Sequence, residues 1–204
     1  LLALSWDAPR GAGVSVLAQD EAGNSVSRAL ATEIKSRRFP SDLIELKEDF
    51  LHQKVGELLP EQAQAQGDAL VAAFLRVNRD QRKTAEQKKR ELATRTQPRP
   101  LWEGAFVQPH NTRVFSNFAE TRTYRFAGRD IDTQVHLGYD LASVKHSPVP
   151  AANAGVVVHA APLTIYGNTV VLDHGWGLMT LYAHLSSLAV KEGDTVTKGQ
   201  ELGR

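Results

Sequence analysis

The chain has 204 residues, of which 42% are hydrophobic and 23% charged, so its composition supports a packed core and argues against wholesale disorder. The net charge of +1, from 24 basic and 23 acidic residues, argues against a general polyanion-binding protein. Cysteine is absent, which excludes disulfide scaffolds, thiolate zinc sites and cysteine nucleophiles. No apolar run approaches the ~20 residues that cross a membrane. The chain begins at Leu1 rather than at methionine, so an inner-membrane anchor upstream stays open.

Residues 1–32 are predicted to form the end of an Ig-like β-sandwich domain. Apolar and other residues alternate from Val14 to Ala18, and the turn-forming segment 20–24 separates this strand from a second one around Val26. The hairpin resembles the last two strands of an Ig-like sandwich. A complete sandwich needs ~100 residues, so only a part of one is expected in this chain.

Residues 33–96 are predicted to be helical. Apolar residues recur at three- and four-residue intervals from Leu43 onwards, with Ser41 or Asp42 as the expected N-cap. Residues 76–95 carry 8 basic and 3 acidic residues and lose the apolar face. This pattern favours a solvated helical extension over a surface for an acidic polymer or a membrane.

Residues 97–204 are predicted to form an all-β domain after a proline-rich linker. The hydrophobic period changes to two, and short strands are expected at 115–118, 155–159, 169–173, 179–184 and 196–202. This region has no glycine-rich phosphate loop and no ladder of aromatic and basic residues, so no nucleic-acid partner is expected. The predicted fold class is therefore α+β: a partial Ig-like hairpin, a helical spacer and a domain of antiparallel sheet.

His136 and Asp140 form a His-x3-Asp pair. An extended strand rises about 3.3 Å per residue, which would separate the two residues by about 13 Å. Zinc binds nitrogen and oxygen ligands at about 2.0–2.2 Å, so two ligands of one ion must lie within about 4 Å of each other. A shared metal therefore requires the backbone to reverse, and we expect the reversal at Gly138, with Leu137, Tyr139 and Leu141 on the other face anchoring the bend. The alternative is a loop histidine and a turn aspartate without a metal.

His184 ends a predicted strand. Leu181, Ala183 and Leu185 alternate with Tyr182 and His184, so His184 is expected on the same face as Tyr182. Taken alone, a histidine at a strand end is more often structural or merely exposed than catalytic.

Several motifs occur in an order and spacing that resemble the LytM/lysostaphin-type zinc endopeptidases. They are His-Leu-Gly-Tyr-Asp (136–140), Pro-Val-Pro-Ala-Ala-Asn-Ala-Gly-Val-Val (148–157), Tyr-Gly-Asn-Thr-Val-Val-Leu-Asp-His-Gly (166–175), Thr-Leu-Tyr-Ala-His-Leu-Ser (180–186) and the segment 190–203. Upstream, Pro109, residues 114–118 and Arg122 resemble the segment that leads into the catalytic domain of that family. The resemblance covers residues 101–204 almost continuously.

The resemblance implies Zn2+ as the cofactor, with His136 and Asp140 as two of its ligands. It implies that His184 is the catalytic histidine, which orients the zinc-bound water and stabilises the tetrahedral oxyanion. The implied substrate is a peptide cross-link of bacterial peptidoglycan, cut by a D,D-endopeptidase. The implied location is the periplasm or cell envelope, and oligomeric state is left open.

The family's closing His-x-His motif, whose second histidine is the third zinc ligand, does not occur among the seven histidines of this sequence. Catalytic zinc uses three protein ligands and a water. We therefore expect the third ligand and the second catalytic histidine beyond Arg204. A less favoured alternative is a latency ligand from His110, Asn111 or Asn117, as the resemblance suggests. His174 is expected in a hairpin turn and not as a ligand.

Three other functions stay open from the sequence. The first is a catalytically degenerate LytM-domain protein that regulates cell-wall amidases, against which the retention of His136, Asp140 and His184 argues. The second is a biotinyl or lipoyl carrier, which segment 190–203 also resembles, but no lysine adjoins Met179. The third is a β domain without chemistry, which leaves the order of the motifs unexplained.

Overall fold

The computed structural model describes residues 5–9, 11–31, 34–35 and 37–204. The chain divides into two compact units, Leu1–Pro40 and Ser41–Arg204. The predicted domain end at residue 32 lies outside the described residues, and the predicted boundary between residues 96 and 97 stays a prediction.

The first unit contains a β-hairpin. Strand β1 (Val14–Gln19) pairs antiparallel with β2 (Ser25–Leu30). The side chain of Asp20 closes the turn by accepting hydrogen bonds of 2.8 Å from the backbone N–H and from the side-chain amide of Asn24. The predicted hairpin is thus confirmed. Residues 1–4, 10 and 32 of the expected Ig-like segment lie outside the described residues, and membership of a sandwich stays a prediction.

The second unit combines a helical segment with short strands. Its helices are α1 (Glu48–Leu58), α2 (Gly67–Leu75) and α3 (Arg82–Ala93), with a π-helical segment Arg76–Gln81 between α2 and α3 and 3-10 turns at Pro60–Gln62 and Thr164–Tyr166. Its strands are β3 (Ser41–Glu45), β4 (Arg113–Ser116), β5 (Glu120–Phe126), β6 (Arg129–His136), β7 (Asp140–Ala142), β8 (Val149–Pro150), β9 (Gly155–Pro162), β10 (Asn168–Asp173), β11 (Met179–Leu185), β12 (Thr195–Val196) and β13 (Glu201–Gly203).

The strands of the second unit form four small sheets. Their strand orders are β11-β10-β9-β12, β3-β5-β6, β4-β7 and β13-β8. All pairs are antiparallel except β3–β5. The predicted fold class, with antiparallel sheets and one helical region, is confirmed. The strand expected at 196–202 is divided into β12 and β13 by a turn in which the N–H of Gln200 donates to the carbonyl of Thr197.

Residues 41–45 form a strand where the sequence predicted the start of a helix. Ile44 pairs with Tyr124 in the parallel β3–β5 ladder, and the N–H of Leu46 donates to the carbonyl of Arg125 at 2.7 Å. Helix α1 begins only at Glu48. The apolar spacing in this segment fits a strand as well as a helix, and the free edge of β5 supplies the backbone partners that select the strand.

Two hydrophobic clusters stabilise the second unit. The first joins the helices and contains Leu51, Val55, Leu59, Leu70, Ala73, Phe74 and Val77. The second is formed mainly by side chains of strands β9 to β13 and contains Ala151, Val157, Val170, Leu172, Leu185, Val196 and Leu202. A buried carboxylate attaches the helical segment to β6: Asp132 accepts hydrogen bonds from Asn78 at 2.7 Å and from Arg79 at 2.9 Å.

The predicted linker at 96–100 is bound to the β domain. The hydroxyl of Thr96 and the N–H of Gln97 donate to the two oxygens of Asp173 at 2.8 and 2.7 Å. Gly175 has φ +88°, and a Cβ at this position would overlap the carbonyl of Arg99. A glycine is therefore required here both by the backbone conformation and by the close approach of the linker. In the described part of the chain, no helix combines the length and apolarity needed to cross a membrane.

Candidate metal centre and active site

His136 ends strand β6, directly opposite Glu120 of β5. Its Nδ1 lies 3.1 Å from the backbone carbonyl oxygen of Asn117. Because a carbonyl only accepts hydrogen bonds, Nδ1 carries the proton in this contact. In the neutral ring, the lone pair is therefore on Nε2, the nitrogen that faces Asp140.

Asp140 begins β7, so the chain leaves one sheet at His136 and enters another at Asp140. The reversal expected between them is present, and it brings Nε2 of His136 to 3.2 Å from Oδ1 of Asp140. Leu137 and Tyr139 are 50% and 60% exposed, so the expectation that these two residues anchor the bend is wrong, whereas Leu141 is half-buried in β7. Gly138 does not use a positive φ, and a Cβ there would lie 3.7 Å from Nε2 of His136.

The carboxylate of Asp140 has a different partner on each oxygen. Oδ1 faces His136, and Oδ2 accepts a hydrogen bond of 2.6 Å from Nη2 of Arg122. The contact with His136 and the guanidinium of Arg122 lower the pKa of Asp140 to about 2, although partial burial opposes the shift. Asp140 is therefore ionised at neutral pH.

The contact between His136 and Asp140 fits a cation placed between the two atoms. A neutral imidazole has one N–H, and the carbonyl of Asn117 uses it. The lone pair on Nε2 then faces the lone pairs on Oδ1 at 3.2 Å. A second proton or a metal ion between the two atoms removes this repulsion. Two ligands bound at about 2.1 Å with a tetrahedral angle lie about 3.4 Å apart, close to the observed separation.

A turn between β4 and β5 holds His136 in its orientation. Glu120 is buried, and its Oε2 accepts hydrogen bonds from the hydroxyl of Ser116 at 2.7 Å and the N–H of Asn117 at 3.0 Å. Ala119 is fully buried with φ 59°, and its N–H donates to the carbonyl of His136 at 2.7 Å. The turn therefore contacts both the ring and the backbone of His136. Asn117 takes part through its carbonyl, a role that the sequence analysis did not consider.

His184 lies at a β-bulge near the end of β11. The register shifts between Asn168, which pairs with Leu185, and Val170, which pairs with Tyr182. His184 has φ 59°, an uncommon conformation for a residue other than glycine. Bulges redirect side chains and occur often beside active sites. The simple alternation that predicted a shared face with Tyr182 is therefore interrupted at this point.

The protein environment of His184 favours the neutral imidazole. Its side chain is exposed at the surface, yet desolvation by the surrounding residues lowers the pKa of His184 below its usual value. The negative charge of Asp140 opposes this shift, and the positive charge of Lys54 adds to it. Asp140 is thus near enough to His184 for the two charges to interact.

Helix α3 contacts the candidate site through Tyr166. The rings of Tyr166 and His184 have centroids 6.5 Å apart. The hydroxyl of Tyr166 donates to Glu86 at 3.0 Å, and Nζ of Lys89 lies 5.0 Å from the centre of the Tyr166 ring. The helical segment therefore forms part of the surroundings of His184.

The other histidines have local hydrogen-bond partners or lie apart from the pair of donors. His174 is fully buried between the carbonyl of Ala154 at 2.6 Å and the hydroxyl of Thr180 at 2.8 Å, and burial lowers its pKa. The ring of His159 contacts the carbonyl of Ala161 at 3.1 Å. Both ring nitrogens of His174 therefore have partners within the fold.

The donor set fits part of a zinc site. His136 and Asp140 offer one nitrogen and one oxygen, both ligand types that zinc uses, and the other ring nitrogen of His136 is held as in many metal-binding histidines. Across the described ranges, which omit residues 1–4, 10, 32–33 and 36, no group of three or more His, Cys, Asp or Glu residues is arranged to hold a metal ion. These ranges therefore offer two candidate donors, whereas a catalytic zinc uses three protein ligands.

Besides the Asn117 carbonyl, the supporting roles of Glu120 and Arg122 were not predicted from the sequence. Glu120 acts through a turn, and Arg122 was noted only as part of a lead-in segment. The spacing of Glu120 and Arg122 places them on one face of β5, a signal that becomes useful only once the pairing of β5 with β6 is known.

Comparison with known proteins identifies part of the chain. Residues 134–204 match the model described as Peptidase family M23. The chain is 38% identical over 91 residues to Peptidoglycan DD-endopeptidase ShyA of Vibrio cholerae, covering 45% of this chain and 20% of that protein. It is 39% identical over 70 residues to DD-carboxypeptidase/endopeptidase Mpg of Neisseria meningitidis, covering 34% and 16%. It is 35% identical over 101 residues to Outer membrane antigenic lipoprotein B of Histophilus somni, covering 49% and 27%. The chain thus spans a fifth or less of the length of these two endopeptidase relatives.

Two solved structures also resemble part of the chain, both with TM-scores below 0.5. A crystal structure assigned to peptidase M23 from Pseudomonas aeruginosa is 26% identical, with a TM-score of 0.47, covering 61% of this chain and 50% of that one. A zinc-containing peptidase from Vibrio cholerae is 30% identical, with a TM-score of 0.42, covering 50% and 32%. The family match confirms the resemblance found in the sequence: residues 134–204, which contain His136, Asp140 and His184, match the model of peptidase family M23.

Proposed function

We propose that this chain carries the site of a zinc metalloendopeptidase, a hydrolase in which His136 and Asp140 bind Zn2+ and His184 is the catalytic histidine. The observation that supports the proposal best is the pair of donor atoms 3.2 Å apart, with the other nitrogen of His136 held by a carbonyl. A separation of about 3.4 Å is what two ligands of one tetrahedral zinc require.

The residues of the site would divide the work of peptide hydrolysis. Bound zinc would polarise the scissile carbonyl and lower the pKa of its water. The turn at Asn117 holds His136 in the tautomer that binds a metal, and Arg122 holds Asp140. His184, whose lowered pKa favours the neutral ring at pH 7, has one N–H to donate to a developing oxyanion and one lone pair to accept a proton.

The proposed substrate is a peptide cross-link of bacterial peptidoglycan, hydrolysed in the manner of a D,D-endopeptidase. The support comes from relatives, since ShyA and Mpg are named for DD-endopeptidase activity. A periplasmic or other cell-envelope location follows from this substrate, and another relative is named as an outer membrane lipoprotein. A catalytic zinc needs a further protein ligand, and the family resemblance assigns that role to a His-x-His motif, which these 204 residues do not contain.

Zinc content and cross-link hydrolysis test the proposal together. Zinc per polypeptide would be measured by elemental analysis on the purified full-length protein, with its intact mass recorded. Hydrolysis of a D,D-cross-linked muropeptide dimer would be followed by chromatography and mass spectrometry. We expect close to one zinc, loss of hydrolysis with a chelator, and recovery on addition of Zn2+.

Three variants separate the roles of the site residues. Asp140→Ala should lose both the metal and hydrolysis, whereas His184→Ala should keep the metal and lose hydrolysis. His52→Ala, on helix α1 and bonded to the carbonyl of Ala63, is the control and should keep both. Normal hydrolysis by His184→Ala would remove His184 from the mechanism. A full-length protein without zinc or hydrolysis that stimulates a purified cell-wall amidase would instead be a regulator.

A further inference from the structure

Arg122 contacts the oxygen of Asp140 that His136 leaves free. Nη2 of Arg122 lies 2.6 Å from Oδ2, whereas Nε2 of His136 lies 3.2 Å from Oδ1. A carboxylate can bind a metal through one oxygen or through both. We propose that Arg122 is a positioning residue that holds Oδ2 of Asp140 and thereby makes Asp140 a one-oxygen metal ligand. This inference rests on the proposed metal site.

The position of Arg122 in the fold suits this role. Arg122 lies near the start of β5, two residues after Glu120, so both side chains are on one face of the strand. Glu120 holds His136 through the turn at Asn117, and Arg122 holds Asp140 directly. One strand therefore carries a support for each of the two donors.

Asp140 needs such a support because little else restrains its side chain. It begins a strand of three residues and its side chain is 44% exposed, whereas that of Arg122 is only 19% exposed. The planar guanidinium has a fixed arrangement of donors, so it selects one orientation of the carboxylate. An orientation selected before the metal arrives reduces the entropy lost on binding.

The positive charge of Arg122 would also repel a metal cation, which lowers the metal affinity, whereas the positioning of Asp140 raises it. Arg122 interacts electrostatically with both Asp140 and Glu120. Two carboxylates thus offset the single guanidinium charge. Replacing a group that orients a metal ligand typically lowers metal affinity about 10- to 100-fold. We therefore expect the loss of positioning to outweigh the loss of repulsion.

The test is a zinc competition titration of the full-length protein and of its variants against a chromophoric chelator. Arg122→Gln should bind zinc about 10- to 100-fold more weakly than the unsubstituted protein. Arg122→Lys, which keeps the charge but not the planar fork, should recover part of the affinity. The matched control is Arg125→Gln, a substitution on the same strand as Arg122. It breaks the 2.6 Å contact of Arg125 with Asp130 of β6, away from the donors, and should leave the zinc affinity unchanged.

Substitution with Co2+ gives a readout that does not depend on activity. Freeing Oδ2 in Arg122→Gln lets Asp140 bind through both oxygens, which raises the coordination number and weakens the visible d–d absorption. Thermal unfolding followed by circular dichroism identifies variants that do not fold. If Arg122→Gln does not fold, the same comparison is made with Arg122→Lys.

The outcomes distinguish this inference from the proposed function. Weaker zinc binding by Arg122→Gln together with an altered Co2+ spectrum supports the positioning role. Unchanged affinity and an unchanged spectrum overturn that role and leave the metal site intact. An unsubstituted full-length protein that binds no zinc overturns the metal site itself, and the positioning role with it.

Discussion

Replacing Glu120 with alanine tests whether the turn at 116–120 depends on one buried carboxylate. Oε2 of Glu120 accepts both the hydroxyl of Ser116 at 2.7 Å and the N–H of Asn117 at 3.0 Å. Burial opposes ionisation, but these two bonds together with the charges of Arg122 and His136 lower the pKa of Glu120, so the group is charged at neutral pH. The alanine variant leaves both donors without this acceptor.

The expected loss follows from the hydrogen bonds. A hydrogen bond to a charged group contributes about 1.5–3 kcal/mol, and because the two bonds share one oxygen we expect a combined loss of about 3 kcal/mol rather than the full sum. Glu120→Gln retains one oxygen that can accept both bonds but loses the charge, so its loss should be about 1 kcal/mol. The prediction includes the order of the two losses, with Glu120→Ala losing more stability than Glu120→Gln, as well as their size.

Urea unfolding followed by tryptophan fluorescence measures the effect. Trp102 and Trp176 lie in the second unit with ring centroids 5.9 Å apart, so their emission should report its unfolding. With a typical slope of about 1–3 kcal/mol per molar urea, the alanine variant should unfold at about 1–3 M less urea.

A second glutamate provides the control. Glu57 also accepts two hydrogen bonds, from Gln53 and Lys54, but its side chain is 46% exposed on helix α1. Glu57→Ala should cost less than about 1 kcal/mol, because water replaces the lost partners. Equal losses for the Glu120 and Glu57 variants would refute the argument from burial.

Three further substitutions test other parts of the fold. Burial lowers the pKa of His174, so the unfolded chain binds more protons than the folded one as the pH falls below ~6.5, and this group should lower the free energy of unfolding by at most about 1.4 kcal/mol per pH unit. His174→Gln should therefore flatten the decline in stability between pH 7 and 5 measured by urea titration. An unchanged slope would contradict this expectation. Gly175→Ala should lower the melting temperature more than Gly177→Ala, because both have positive φ but only the first would overlap the carbonyl of Arg99; equal shifts would contradict the close approach. Asp132→Ala should cost about 3 kcal/mol in urea unfolding, since it removes the buried acceptor that joins β6 to the helices, and a loss below about 1 kcal/mol would show that this contact is dispensable.

The strands of the β domain were predictable where β-branched residues cluster between turn-forming residues. In β9, three consecutive valines (156–158) favour a strand, whereas the alternation of buried and less buried residues from Gly155 to His159 is seen only in the structure. Strand β3 was not predictable, because its apolar residues fit a helical stripe equally well. Its partner Tyr124 is 80 positions after Ile44, and nothing in the local pattern indicates that pairing.

The candidate site, too, was predictable from the sequence only in part. The order and spacing of motifs singled out His136, Asp140 and His184, because each side chain belongs to a short pattern that can be recognised locally. The supporting contacts depend on the register of β5 against β6 and on the turn before β5, which bring Arg122 and the carbonyl of Asn117 to the donors. Such contacts have no signature in local sequence.

The sequence by itself determined which side chains can bind a metal or transfer a proton, and that residues 101–204 resemble a family of peptidases. Only the tertiary structure decided that Nε2 of His136 and Oδ1 of Asp140 face each other at 3.2 Å, and that a bulge holds His184 at positive φ. The physical reason is that ligand chemistry belongs to individual residues, whereas distances of 3 Å between donors depend on the pairing of strands that are remote along the chain.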